Sequence, residues 1–245
     1  MSPEERLLRL ANFRGYGDYS SSRFLYIGIE EGLALTEEKL DRHLAKFSIT
    51  RPWDIPVPEA KPKHNTERMQ ARLSIALLEK TGELQVCMKV DEYDLSKKNE
   101  FCANIYPFGA KSENDSPRVY NILLGKSKKE AQFSIEDQRK DLIKDMIKDF
   151  IGPKGGRVFI FGKSAHNFLK QYGILKELNI QISEDQIGFD GKRPNPIKYS
   201  TDLKVWFTGH PSYSWFNEKA IDEIIKTINK SISTRAMNVT EEKPS

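Results

Sequence analysis

The 245-residue chain is poor in residues that staple or span. It contains two cysteines, Cys87 and Cys102. They form neither a CxxC pair nor part of a Cys/His cluster, so neither a thiolate zinc site nor a four-cysteine iron–sulfur cluster can be assembled from them. Two buried thiols in a reducing compartment are expected instead. No apolar run approaches the roughly 18 residues of a membrane span. The N-terminal stretch carries Glu4, Glu5, Arg6 and Arg9 where a secretory signal would have an apolar segment. These absences predict a cytoplasmic protein. A large excess of one charge is missing too: Lys+Arg 39 against Asp+Glu 35 leaves +4, spread along the chain. That balance permits a nucleic-acid partner without requiring one.

At 38% hydrophobic and 30% charged residues, the composition excludes collagen and disorder throughout. One domain over residues 1–233 is expected, followed by a frayed tail over 234–245, which lacks apolar periodicity. Four prolines (Pro52, Pro56, Pro58, Pro62) mark residues 51–65 as a surface connection. Continuous apolar runs at 23–29, 101–106, 157–161 and 203–207 read as strands buried on both faces, and 84–90 admits a further strand nearer an edge. Between them lie helical patterns. Thr36 can cap a helix over 37–46, and Asn65 or Thr66 one that presents Met69, Leu73, Ala76 and Leu77 and ends near Gly82. Ser134 with Asp137 resembles a capping box opening a helix with Leu142, Ile143, Met146, Ile147 and Phe150, stopped by Gly152. Asn217 can cap a last helix bearing Ile221, Ile224, Ile225, Ile228 and Ile232. The alternation predicts an α/β fold: a three-layer α/β/α sandwich with a mostly parallel central sheet. Ligands of such sheets bind at the carboxyl ends of the strands, so the loops there carry the functional reading.

After the first strand stands Gly28-Ile29-Glu30-Glu31-Gly32, where glycines let the backbone approach a ligand and adjacent carboxylates suit general-base or metal chemistry. A solvated turn is the plainer reading. After the third comes Asn104-Ile105-Tyr106-Pro107-Phe108-Gly109. An Asn in an apolar strand needs a partner for its amide, and that amide offers both a donor and an acceptor to a nucleobase edge. Tyr106 and Phe108 are candidate stacking rings. The fourth strand runs into Gly162-Lys163-Ser164-Ala165, a helix start that favours an anion; the residues before Gly162 belong to the strand, so this is no Walker A loop. The fifth leads to His210-Pro211-Ser212-Tyr213-Ser214-Trp215-Phe216-Asn217. Here a titratable imidazole, hydroxyls and aromatic rings cluster between a strand and a capped helix. His166 lies near the Gly162 turn, while His43 and His64 read as ordinary surface residues.

These loops, in this order, resemble the motifs of the uracil-DNA glycosylase superfamily, in the form without iron–sulfur cysteines. The matching pieces are Gly28-Ile29-Glu30-Glu31-Gly32, Asn104, Phe161-Gly162-Lys163-Ser164-Ala165 and His210-Pro211-Ser212. The resemblance extends from about Phe24 to Asn217. It implies a three-layer α/β/α fold and a DNA N-glycosylase that flips uracil or a related damaged base out of single- or double-stranded DNA and hydrolyses its N-glycosidic bond. In that scheme Glu30 and His210 are catalytic: Glu30 handles water or offsets sugar charge, and His210 stabilises charge on the base O2. Gly28, Asn104, Tyr106 and Phe108 bind the base. Lys163, Ser164, Ser212, Tyr213, Ser214 and Trp215 contact DNA. The scheme calls for no metal and no cofactor. The chain departs from the family pattern at Glu31, where proline is usual, and at Glu30, where Asp or Asn is usual. Its wedge reads Tyr213-Ser214-Trp215. The alternative is a non-catalytic binder of a nucleobase or nucleic acid on the same fold; a hydrolase of free nucleosides is a weaker option. No G-x-S-x-G elbow is present, which argues against serine esterase chemistry.

Overall fold

A computed structural model describes residues 2–29, 65–80, 89–93, 99–107, 119–187, 197–210 and 218–241. In chain order the elements are α1 (Pro3–Asn12), β1 (Phe24–Gly28), α2 (Asn65–Lys80), a 3-10 turn (Val90–Glu92), β2 (Glu100–Asn104), α3 (Val119–Leu124), α4 (Lys128–Ser134), α5 (Glu136–Ile151), β3 (Arg157–Phe161), α6 (Lys163–Gln171), α7 (Ile174–Glu177), β4 (Lys198–Tyr199), β5 (Val205–Thr208) and α8 (Glu218–Glu241). Local chemistry explains several boundaries. Ser2 accepts the Glu5 N–H at 3.1 Å, with Pro3 just inside and Glu4 and Glu5 in the first turn of α1. Gly152 ends α5 by donating its N–H to the Lys148 carbonyl at 3.0 Å.

The five strands lie in the order β2-β1-β3-β5-β4; all neighbours are parallel except β4, which runs antiparallel to β5. Helices cover both faces. On one, Met69, Leu73 and Leu77 of α2 and Ile221, Ile224 and Ile228 of α8 pack on Tyr26, Phe159 and Trp206. An Arg72–Glu218 ion pair at 2.6 Å also links α2 to α8. On the other, Ile143, Met146, Ile147 and Phe150 of α5, with Phe168 and Leu169 of α6, pack on Leu25, Ile27, Val158, Ile160 and Val205. The architecture is therefore the three-layer α/β/α sandwich that the sequence pattern predicts. A satellite cluster joins α1, α3 and α4 through Leu10, Phe13, Tyr120, Leu123 and Ala131. Ahead of β1, Tyr16 exchanges backbone hydrogen bonds with Cys102 at 2.8 and 2.9 Å, so the outer edge of β2 is paired. Among the described residues, no helix is long and apolar enough to cross a membrane.

Several local expectations change. Ser134 does not cap α5: it ends α4, and its hydroxyl donates to the Ala131 carbonyl. The reciprocal capping box is Ser127 with Glu130, one helix earlier, and only Ile135 separates α4 from α5. The run at 84–90 lies outside the described residues except at its end, where Val90 opens a 3-10 turn. The backbone of α8 continues to Glu241, well into the stretch expected to fray, because extending an existing helix costs far less than nucleating one. Cys102 is a free, half-buried thiol, and burial first, then Glu100 and Glu67, push it up to about 12. Cys87, the helix expected at 37–46, His43, His64 and the helix-capping Asn217 lie outside the described residues.

Candidate functional site

Register puts Asn104, Gly28, Phe161 and Thr208 in one row at the carboxyl ends of the four parallel strands. At about 4.8 Å per strand the row spans roughly 14 Å. Strand alternation turns all four towards the α2/α8 layer, because Tyr26, Phe159 and Trp206, two residues earlier, belong to that core. The first described helix after β1, α2, covers one face of the sheet, and the helix after β3, α6, covers the other. The β1/β3 boundary therefore lies between helices on opposite faces, and the position above Gly28 and Gly162 is where open parallel sheets bind ligands in a crevice.

On one side of this boundary stands Asn104. A methyl group on Gly28 would lie 2.8 Å from Asn104 Oδ1 and, among the described residues outside its chain neighbours, would meet nothing else within 4 Å. The half-buried amide therefore leans into the space that the glycine leaves free. The flanking backbone is fixed. Ile105 N–H donates to Gly28 O and Tyr106 N–H to Ile29 O, both at 2.9 Å. Arg139 of α5, wholly buried, donates from Nη2 to Asn104 O at 2.5 Å and from Nε to Ile105 O at 2.7 Å. Its Nη1 donates to Ala11 O at 3.2 Å and to Phe13 O, which ties the end of α1 to the end of β2. Among the described residues no carboxylate pairs with this guanidinium. Burial pushes it down to about 9, so it keeps its charge at neutral pH. Sequence reasoning missed Arg139. The available signal was its place on the same helical stripe as Ile143, Met146 and Phe150.

On the other side stand Gly162 and His210. Gly162 adopts φ +88°, a conformation that favours glycine, and donates its N–H to Thr208 O at 2.9 Å. The position its Cβ would take is 3.9 Å from the Cβ of the half-buried His210. α6 starts immediately after Gly162 without a side-chain cap, with Lys163 exposed and Ser164 half-buried in its first turn. The structure thus gathers Gly28, Asn104, Lys163, Ser164 and His210 along one edge of the sheet.

Tyr106 goes elsewhere. Its ring meets Phe168 edge-on at 5.7 Å, and its hydroxyl donates to Glu136 Oε1 at 2.8 Å, so it packs in the α5/α6 layer. The phenol finds apolar area and a carboxylate acceptor there together. The ring in line with Gly28 is Phe161, stacked on Tyr26 at 5.6 Å and 10°; the sequence offers it as the first residue of the Gly162 turn piece, with no stacking role. Glu30, Phe108, Ser212, Tyr213, Ser214 and Trp215 lie outside the described residues. Among the described residues no group of three or more His, Cys, Asp or Glu side chains is placed to hold a metal ion. No protein-family model, curated protein or solved structure matches the chain.

Proposed function

We propose that the chain is a DNA N-glycosylase of the uracil-DNA glycosylase kind, taking uracil or a related base into the crevice at the β1/β3 boundary. The observation that carries this reading is the Asn104 amide, turned over side-chain-free Gly28 and held by a pinned backbone. An amide there offers a donor and an acceptor to a flipped pyrimidine edge. His210, next to Gly162, is assigned to the O2 side of the base, where negative charge grows as the bond breaks. In the hydrolysis, the N1–C1′ bonding pair leaves with the base, water oxygen bonds to C1′, and the proton released from water ends on the base. Glu30 is assigned to that water.

The test is a uracil-containing oligonucleotide incubated with purified protein and assayed for abasic sites. We expect base release, and at least a hundredfold loss of rate in Asn104→Ala and His210→Ala with folding intact by circular dichroism. Salt-sensitive oligonucleotide binding without release, across uracil, xanthine and hypoxanthine substrates, would replace this reading with that of a non-catalytic nucleobase binder.

A further inference from the structure

Among the described residues, the corner where α6 meets β5 and β4 is rich in lysine. α6 contains no acidic residue. Its buried side chains are Ala165, Phe168 and Leu169, which leaves Lys163, Asn167 and Lys170 in one exposed line with His166 on the flank. The His166 ring lies 4.5 Å from Phe207 of β5. Lys198 of β4 is the cross-strand partner of Phe207, which brings it to the same corner. Lys198 and Lys170 both act electrostatically on His166, adding to the effect of its burial. Among the described residues Lys163, Lys170 and Lys198 have no ion-pair partner, although Glu184 and Asp185 belong to the segment that pairs along β4. A lysine in a helix's first turn also opposes the helix dipole, a cost that an anion from outside removes.

We propose that His166, Lys170 and Lys198 extend the Lys163 position into a track for the phosphate backbone of one nucleic-acid strand, which leaves the crevice over β5 and β4. The identity of the partner rests on the reading of the crevice as a nucleobase site. Continuity supports it: Lys163 follows Gly162, which adjoins His210, and Lys198 sits one strand further along the same edge. From Lys163 to Lys170 the helix rises about 10 Å. Among the described residues, the exposed large apolar side chains Leu8, Ile122 and Phe133 are on α1, α3 and α4, away from this corner.

The experiment compares the full chain with a Lys170→Gln/Lys198→Gln double variant, two exposed or half-exposed positions whose replacement leaves the core intact. Affinity for a fluorescent single-stranded uracil oligonucleotide is measured from 50 to 300 mM salt. Binding of free uracil and of phosphatidylserine vesicles is measured in parallel. The expected result is an affinity about tenfold lower at low salt and a log–log salt slope shallower by about 1.4 in the double variant, with free-base binding unchanged. Equal slopes and affinities in the two proteins would overturn the track. So would a wild-type chain that binds no oligonucleotide, or lysines that prove necessary for vesicles but not for DNA. Binding with the expected slopes but no base release would leave the track standing and remove only the glycosylase reading.

Discussion

Glu100 gives the most quantitative test of the packing. It opens β2, is 3% exposed, and lies in the layer beneath α2. The Tyr93 hydroxyl donates to its Oε1, while Oε2 is buried without a hydrogen-bond partner. Burial is the dominant influence and raises the carboxyl from 4.5 to about 7; the Ser74 and Tyr93 hydroxyls pull it the other way. Below pH 4.5 the acid is protonated in both the folded and the unfolded chain and contributes no difference. Between 4.5 and 7 the unfolded chain loses the proton while the folded chain keeps it, so stability falls as pH rises through that window. Above it the loss is complete, about 3 kcal/mol at 1.36 kcal/mol per pH unit. Glu100→Gln removes the titration and leaves an amide oxygen for Tyr93. At pH 8 the variant is expected to melt roughly 6–12 °C higher than the parent. At pH 4.5 the two should nearly coincide. The assay is thermal unfolding followed by circular dichroism at half-unit pH steps from 4 to 8.5. A difference that stays flat across this range, or a variant less stable than the parent at pH 8, would refute the buried-acid account.

Two further substitutions probe the crevice. Gly28→Ala meets, among the described residues, the Asn104 amide alone, so it should change the melting temperature by less than about 2 °C yet weaken free-uracil binding at least tenfold, measured by titration calorimetry. Unaltered binding would mean that the amide does not read the base from this position. Arg139→Met strips donors from the carbonyls of Asn104, Ile105, Ala11 and Phe13 and should cost at least about 3 kcal/mol in urea unfolding. Arg139→Lys should lose less stability while shifting the Asn104 side-chain amide resonances in a nitrogen-15 spectrum. A near-neutral Arg139→Met variant would contradict the accounting of buried carbonyls.

The central architecture was legible because period-two and helical patterns act through the whole chain. The apolar run at 157–161 coincides with β3 and is bounded by Gly156 and Gly162. β2 was harder to delimit. Its first residue is an acid, which reads as an exterior residue until burial and a tyrosine partner are visible, and it ends at Asn104 rather than continuing through Tyr106. The placement of Gly28, Asn104 and His210 along one edge followed from the motif order. The choice of ring did not, because the side on which a residue falls just after a strand depends on how the backbone leaves the ladder. Tyr106 goes to the α5/α6 layer, and Phe161, inside β3, occupies the row. Arg139 was hidden for a related reason. It sits on an apolar stripe, but its four acceptors are main-chain oxygens that no side-chain motif encodes.

These features share one strand. β2 begins at a buried acid, ends at a half-buried amide, and hands its last carbonyls to a buried guanidinium. Each is a burden that a purely apolar strand would avoid, since buried polar groups cost free energy unless they are fully partnered. Glu100 and Arg139 are arranged differently with respect to that rule. The acid has an unpartnered oxygen and burial opposes its ionisation, so replacing it should relieve the fold above pH 7. The guanidinium makes four hydrogen bonds to two segments, so replacing it should break the fold's connection between α1 and the Asn104 turn. The opposite signs expected for Glu100→Gln and Arg139→Met follow from hydrogen-bond satisfaction rather than from depth, because both side chains are almost completely buried. It follows that the amide of Asn104 owes its position to the arginine end of the strand. A gain in stability at the acid end should therefore leave base recognition as it was.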